Sequence, residues 1–319
     1  MTGPGLPSQT ATSPTGPGHA PEGPGHASTK GTGQAAHPGQ AGDPGEVAAR
    51  LLAWFGRTPS VTVAFSGGVD SAVVLAAAVR ALGPDRVVAA TAVSSALPSG
   101  MLEEAAALTA ALGVAHRQVP TGEMDVEGYA RNGHDRCYFC KATLVDALGA
   151  VLDGTPGELV VTGTNADDVR AGWRPGIRAA AERGAGTPLA DTGTTKAQVR
   201  ALARHWSLAV WDRPASPCLS SRVAYGIRIT PARLARVDRA ETAVRAALDA
   251  AGVDTRDLRV RDLGDDGARV EVDAGAVAAA QLAGAAAAAG AAGFDGPVQV
   301  AAFASGGLNA VLPLELKHG

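Results

Sequence analysis

Cysteine is scarce in this chain: 319 residues hold three, Cys137, Cys140 and Cys218. So sparse and odd a set excludes a disulfide-dense secreted scaffold and points to a reducing, cytoplasmic setting. No sign of charge dominates either. The formal net charge is −3, so there is no overall field for nucleic acid, although a net figure says nothing of a local basic patch. Long hydrophobic runs are missing as well. The nearest, AVAAAQLAGAAAAAGAAG over residues 276–293, is alanine and glycine of low transfer energy interrupted by Gln281; it reads as an alanine-rich soluble helix, not a membrane span. The N-terminal region lacks a basic stretch leading into an apolar one, so no secretory signal is expected. Residues 1–45 instead consist mainly of Gly, Pro, Ser, Thr and His without periodic apolar positions. Burial cannot offset the entropy of ordering such a segment, and a disordered tail is expected there.

From Glu46 onward the pattern becomes regular, and 46% hydrophobic residues suffice for a sizeable core. EVAARLLAWFG reads as a helix, SVTVAF as a buried strand, and a helix runs to about Leu82. RVVAATAVS, HRQVP and ELVVTGT supply further strands, with helices over MLEEAAALTAALG and ATLVDALGAVL between them. Alternation of this kind predicts a parallel sheet covered on both faces. TKAQVRALARHWSL is a helix opened by Thr194 or Thr195. Beyond residue 226 the text changes to a helix over residues 231–251, strands at LRVRDLG, ARVEVD and PVQVAAF, and the alanine-rich helix. The expected organisation is an α/β domain over residues 46–226 followed by a smaller α+β domain over residues 227–319.

Between the first strand and its helix stands SGGVDS, residues 66–71. Gly67 and Gly68 let backbone amides approach a ligand, and the positive end of the helix faces the same point, which suits an anion. Neither the Walker pattern nor the dinucleotide pattern GxGxxG is present. A tight turn with incidental serines is the plain alternative. Asp70 either complements the helix dipole or holds Mg²⁺ beside a polyphosphate. GTNADD, residues 163–168, follows the fourth strand at the sheet's carboxyl edge, where ligands of open sheets bind. Asp167 and Asp168 there could carry a metal and Arg174 a phosphate; a solvated polar loop is the competing reading.

SGGVDS resembles the PP-loop of the ATP pyrophosphatases, the adenine nucleotide alpha hydrolase-like fold. With CYFCK, GTNADD, RPG, TKAQVRALA, RPASPCLSSR and YG, it resembles one branch closely: the LarE family, ATP-dependent sulfur transferases that build the nickel-pincer nucleotide cofactor of lactate racemase. The resemblance is sharp to residue 226 and looser beyond. It implies that Ser66, Gly67, Gly68, Asp70, Ser71 and Arg174 bind ATP with Mg²⁺. It implies adenylation of the carboxylates of a pyridinium dicarboxylic acid mononucleotide, with AMP and pyrophosphate released and thiocarboxylates formed. Cys218 matches the family's sulfur-transferring cysteine and Lys141 a lysine close to it, for which an exposed lysine at a helix start is the alternative. Ser221, Arg222, Arg259, Arg261 and Glu271 match positions that hold the nucleotide substrate, each otherwise an ordinary solvated charge or hydroxyl. Arg259 and Arg261, two apart, point to one strand face. Partner proteins of cofactor biosynthesis and a homo-oligomer are also implied.

The family's sulfur comes either from a lone sacrificed cysteine or from an extra sulfide on a three-cysteine cluster. All three cysteines here stand in CYFC and PCLSS, and thiolates suit iron and sulfide, so Cys137, Cys140 and Cys218 are expected to hold a 4Fe-4S iron–sulfur cluster. A zinc site completed by His134 and a disulfide between Cys137 and Cys140 are the rival readings. Two departures stand out: Gly172 replaces an acidic residue before Trp173, and FASGGLNAVL keeps little of the family's arginine-bearing tail. A tRNA thiolase shares the loop and cluster, but a basic tract and zinc-ribbon cysteines are absent. A nucleotide-sensing protein without chemistry would leave Cys218 unexplained.

Overall fold

The computed structural model describes residues 42–56, 58–151, 158–172 and 174–304. The expected tail, up to residue 41, lies outside the described residues, as do Trp173 and the C-terminal segment from residue 305. The first helix, α1 (Pro44–Phe55), opens two residues before the expected Glu46. Asp43 caps it, its carboxylate accepting from Gly45 N at 3.0 Å, and Pro44 takes the first helical position where a missing N–H costs nothing.

The elements then run β1 (Ser60–Ala64), α2 (Val69–Leu82), β2 (Val87–Val93), α3 (Met101–Ala111), β3 (Ala115–Pro120), α4 (Glu127–Ala130), α5 (Arg136–Val151) and β4 (Glu158–Val161). The four strands form one parallel sheet in the order β3-β2-β1-β4. Period-two alternation assigns the faces. Val61, Val63, Ala89 and Val161 pack with α1 and the almost wholly buried α2, while Ala90 and Val160 pack with Leu148 of α5. The helix expected over ATLVDALGAVL begins earlier, at Arg136, so Cys137 through Lys141 occupy its opening turns.

Short helices follow: α6 (Ala166–Arg170), α7 (Pro175–Ala181) and α8 (Pro188–Asp191), then α9 (Lys196–His205). Thr195, not Thr194, opens α9 through a reciprocal capping box with Gln198. Farther along, α10 (Pro231–Ala250) packs against β5 (Leu258–Asp262), which pairs antiparallel with β6 (Ala268–Val272). The alanine-rich stretch departs from expectation. It forms two helices, α11 (Val277–Leu282) and α12 (Ala285–Ala291), bent by 69°. Gly284, at φ 74°, supplies the left-handed residue that breaks the run, and the bend buries Ala280, Ala285 and Ala289 together. Among the described residues no single helix is long and apolar enough to cross a membrane. The chain then returns as β7 (Val298–Ala302), parallel to β6.

The core of this second sheet is not made from the C-terminal segment alone. Leu234, Val244, Val260 and Val270 cluster with Ala96, Tyr129, Leu219 and Val223. Val223 also bridges Asp262, whose carbonyl accepts from Ala224 N at 3.0 Å.

Candidate active site

The turn from β1 into α2 takes four residues, and its conformation depends on Gly67 at φ 73°. Gly68 is the N-cap of α2 without a side-chain cap bond, so amides of a 14-residue helix point outward at its start. Two hydroxyls fix the loop. Ser71 Oγ accepts from Ser66 N at 3.3 Å, donates to Gly68 O at 3.0 Å, and lies 3.2 Å from Ser66 Oγ. Gly163 after β4 presses on the same point: a Cβ there would stand 2.8 Å from Ser71 N.

Asp70 does not stand alone. Lys196, at the start of α9, pairs with its Oδ2, and Asn165 Nδ2 donates to its Oδ1 at 3.1 Å. Asn165 caps α6 by accepting from Asp167 N and Asp168 N, and Asp168 Oδ2 in turn accepts from Asn165 N at 3.2 Å. Asp167 accepts from Lys196 N at 2.8 Å and pairs with Arg170 at 3.3 Å. Arg174 Nη2 lies 4.0 Å from Asp168. Lys196 and Asn165 had no role in the sequence reading, although both lie inside quoted motifs; a lysine directly after a capping threonine and an asparagine before paired aspartates were the available signals.

A cavity of about 530 Å³ opens on this loop, with Ser66, Asp70, Ser71, Asp168 and Arg174 in its wall. Its other side carries Cys137, Cys140, Lys141 and Cys218, so the nucleotide loop and all three sulfurs share one space. Cys137 and Cys140, three apart at the start of α5, lie on one helix face, the first exposed and the second half-buried. Cys218 precedes a single turn, Leu219–Arg222, anchored by Leu219 N to Ala96 O at 2.8 Å. Its carbonyl accepts from Ser221 Oγ at 2.7 Å and Ser221 N at 2.9 Å. None of the three is in a disulfide in this structure. Burial, with Cys218 adjacent, pushes the Cys140 thiol up to about 12. Glu123, buried in the same wall, accepts from Ser94 Oγ through one oxygen, while its Oε2 has no hydrogen-bond partner among the described residues. His134 also lines the cavity, its ring edge-on to Tyr225 at 5.0 Å. Among the described residues no three His, Cys, Asp or Glu side chains converge as ligands of a single metal ion.

Ser221, Arg222, Arg259, Arg261 and Glu271 do not line this cavity; they stand behind the Cys218 turn. Arg259 and Arg261 are buried on β5, where Arg261 pairs with Glu271 at 2.9 Å and donates to Ser221 O at 2.8 Å. Arg259 donates to Ala215 O; burial and the nearby Arg222 hold its pKa below the usual guanidinium value. Arg222 donates to Pro217 O and is gripped by both oxygens of Glu241, at 2.9 and 3.2 Å. Glu241, on α10, was not read from the sequence, since nothing local marks it among the charges of that helix.

A glycine turn between a parallel strand and a helix, opening at the carboxyl edge of the sheet, defines the PP-loop class of nucleotide-binding α/β folds. The NAD synthase family model matches residues 56–137, which hold this loop. Two relatives narrow the placement. The chain is 33% identical over 198 residues to the pyridinium-3,5-bisthiocarboxylic acid mononucleotide synthase of Lactiplantibacillus plantarum, covering 62% of this chain and 71% of that one. It is 44% identical over 195 residues to an uncharacterized protein of Synechocystis sp., covering 61% and 72%. The chain belongs to the LarE family.

Proposed function

We propose that this protein is an ATP-dependent sulfur transferase that converts the carboxylates of pyridinium-3,5-dicarboxylic acid mononucleotide to thiocarboxylates for a nickel-pincer cofactor. One observation carries the reading: the phosphate-type loop and three free thiols open onto the same cavity. The name of the Lactiplantibacillus relative supports the product class. In the first step a substrate carboxylate oxygen attacks the α-phosphorus of ATP, forming an acyl adenylate and releasing pyrophosphate. The hydroxyls of Ser66 and Ser71 in the cavity wall, with the amides of the Gly67–Gly68 turn at the helix start, suit the leaving pyrophosphate, and Arg174 in the same wall adds positive charge, while Lys196 pairs with Asp70. Asp70 and Asp168 are oxygen donors of the kind Mg²⁺ takes together with phosphates. In the second step a sulfur nucleophile attacks the acyl carbon; the C–S bond forms as the C–O bond to AMP breaks. Cys218 and Lys141 both line the cavity, which supports a role for them in delivering that sulfur.

Cys137, Cys140 and Cys218 would hold an iron–sulfur cluster, whose soft donor set they match, and the chemistry it would supply is a replaceable sulfide. The test is product analysis with ATP and the dicarboxylated nucleotide. AMP and pyrophosphate are expected, and Asp70→Asn should slow their release at least about tenfold; ADP with phosphate overturns the reading. Iron analysis of anaerobically prepared protein reads the sulfur source: brown protein bleached by any single Cys→Ala change is expected. Iron-free protein in which Cys218 loses about 34 Da after one turnover, the elements of hydrogen sulfide, would instead mark a sacrificed cysteine.

A further inference from the structure

Arg136 stands immediately before Cys137, is 5% exposed, and had no part in the sequence reading. Its Nη1 donates to Asn132 Oδ1 at 2.7 Å and to Ser220 O at 2.8 Å, and its Nη2 lies 4.0 Å from Cys137 Sγ. The guanidinium stands 5.6 Å over the Tyr225 ring. Among the described residues no carboxylate pairs with it, whereas the buried Arg222 and Arg261 each have one. A charge withdrawn from water needs an anion or a full set of acceptors, and besides its two oxygen acceptors the groups left to offset this one are the Tyr225 ring face and the Cys137 sulfur. Asn132 extends the clip. Fully buried at φ 58°, it donates to Ala224 O at 2.8 Å and Ile227 O at 2.9 Å. One guanidinium and one amide thus fasten the start of α5, which carries two of the cysteines, to the segment that carries the third.

We propose that Arg136 is the positioning residue and fixed counter-charge of the sulfur pocket, holding the Cys218 turn against the Cys137 end of α5 and offsetting anionic charge gathered on those sulfurs. Its effect on sulfur transfer rests on the function proposed above; its effect on the thiols does not. A ligand pocket that receives anionic sulfur gains from a positive group that cannot lose its proton, and arginine alone among side chains meets that need. Its fork also reaches two acceptors at once, which a lysine cannot do with the same geometry.

The experiment compares the full-length protein with Arg136→Gln and Arg136→Lys, reading the thiols before any iron or sulfide is added and sulfur transfer after both have been supplied. Thiol modification is timed at one pH with an anionic aromatic disulfide, dithiobis(nitrobenzoate), and a neutral one, dithiodipyridine. Both reagents meet the same thiols, so the ratio of their rates cancels thiol ionisation and reads the local field. Arg136→Gln should lower the anionic-to-neutral ratio at least about threefold, and Arg136→Lys should keep it within about twofold. Single-turnover sulfur transfer should fall at least about tenfold in Arg136→Gln and about threefold in Arg136→Lys, with ATP–pyrophosphate exchange within about twofold of the parent in both. An unchanged reagent ratio in Arg136→Gln overturns the counter-charge. Exchange and transfer falling together, or transfer at the parental rate in Arg136→Lys, overturns the positioning role. Should Arg136→Gln fail to fold, the lysine variant still decides: a lost ratio or undiminished transfer counts against the proposal. If the parent protein neither exchanges nor transfers, the proposed function falls while the reagent ratio continues to judge Arg136.

Discussion

Cys140 and Cys137 sit one helical turn apart yet face different chemistry. The thiolate is the reactive form, and burial beside Cys218 raises the Cys140 thiol to about 12, above the ordinary thiol range. Cys140 is therefore neutral near neutral pH, whereas Cys137 is exposed. Alkylation by iodoacetamide, mapped by mass spectrometry, should mark Cys140 more slowly than Cys137 at pH 8, with the Cys140 rate rising as pH climbs toward that value. Equal rates at pH 8 would contradict the burial. The sign for stability follows: folding holds this proton more tightly than the unfolded chain does. The contribution is complete below the ordinary thiol pKa and is lost as pH rises through the folded value. The cysteines themselves were legible in the sequence because their spacing is local and their number small. Arg136, Asn132 and Lys196 were not, because each acquires meaning only from a partner far along the chain: Ser220, Ala224 and Asp70 respectively.

Elements with a strong local period came through with small shifts at their ends. The parallel strands alternate apolar faces, and the capping box at Thr195 is written in four consecutive residues. The break in the alanine-rich stretch was harder to see, since a glycine inside a run of alanines signals a bend only if burial favours one. Gly163 is a case where packing between elements sets the residue. The end of β4 and the start of α2 approach so closely that a Cβ would meet Ser71 N at 2.8 Å and the Asp70 carbonyl carbon at 3.1 Å, both backbone. Gly163→Ala should lower stability by about 1–3 kcal/mol, read from the urea midpoint, and weaken ATP binding more than binding of the pyridinium nucleotide. A variant with parental stability and ATP affinity would show that the two elements separate freely.

At the scale of the whole molecule, Arg222 and Glu241 tie the turn after Cys218 to α10, and Glu241 also accepts from Val260 N of β5 at 3.0 Å. Arg222 is only 2% exposed in that pair. Removing the carboxylate leaves a buried cation, so Glu241→Ala should cost about 3–5 kcal/mol in chemical unfolding, more than a surface ion pair would. A loss under about 1 kcal/mol, the range of exposed pairs, would mean that water reaches Arg222. That the second sheet draws on Ala96, Tyr129, Leu219 and Val223 could not be read from periodicity, which says that a residue is buried but not beside what.

The shared core also sets a schedule for synthesis. Tyr129 packs in one cluster with Leu258 and Val270, which leave the ribosome about 130 to 140 residues later; at about 5–20 residues per second that is a wait on the order of ten seconds. During it the apolar side of Tyr129, with Ala96, has no partner sheet to cover it. The nucleotide loop can close early, since β1, α2 and β2 are contiguous, but the sulfur turn at Cys218 is held by Arg259 and Arg261 and so cannot settle until β5 has emerged. Ordering of the Cys218 turn is therefore an event of the finished chain, and a protein halted before residue 258 should form its glycine loop without that turn in place.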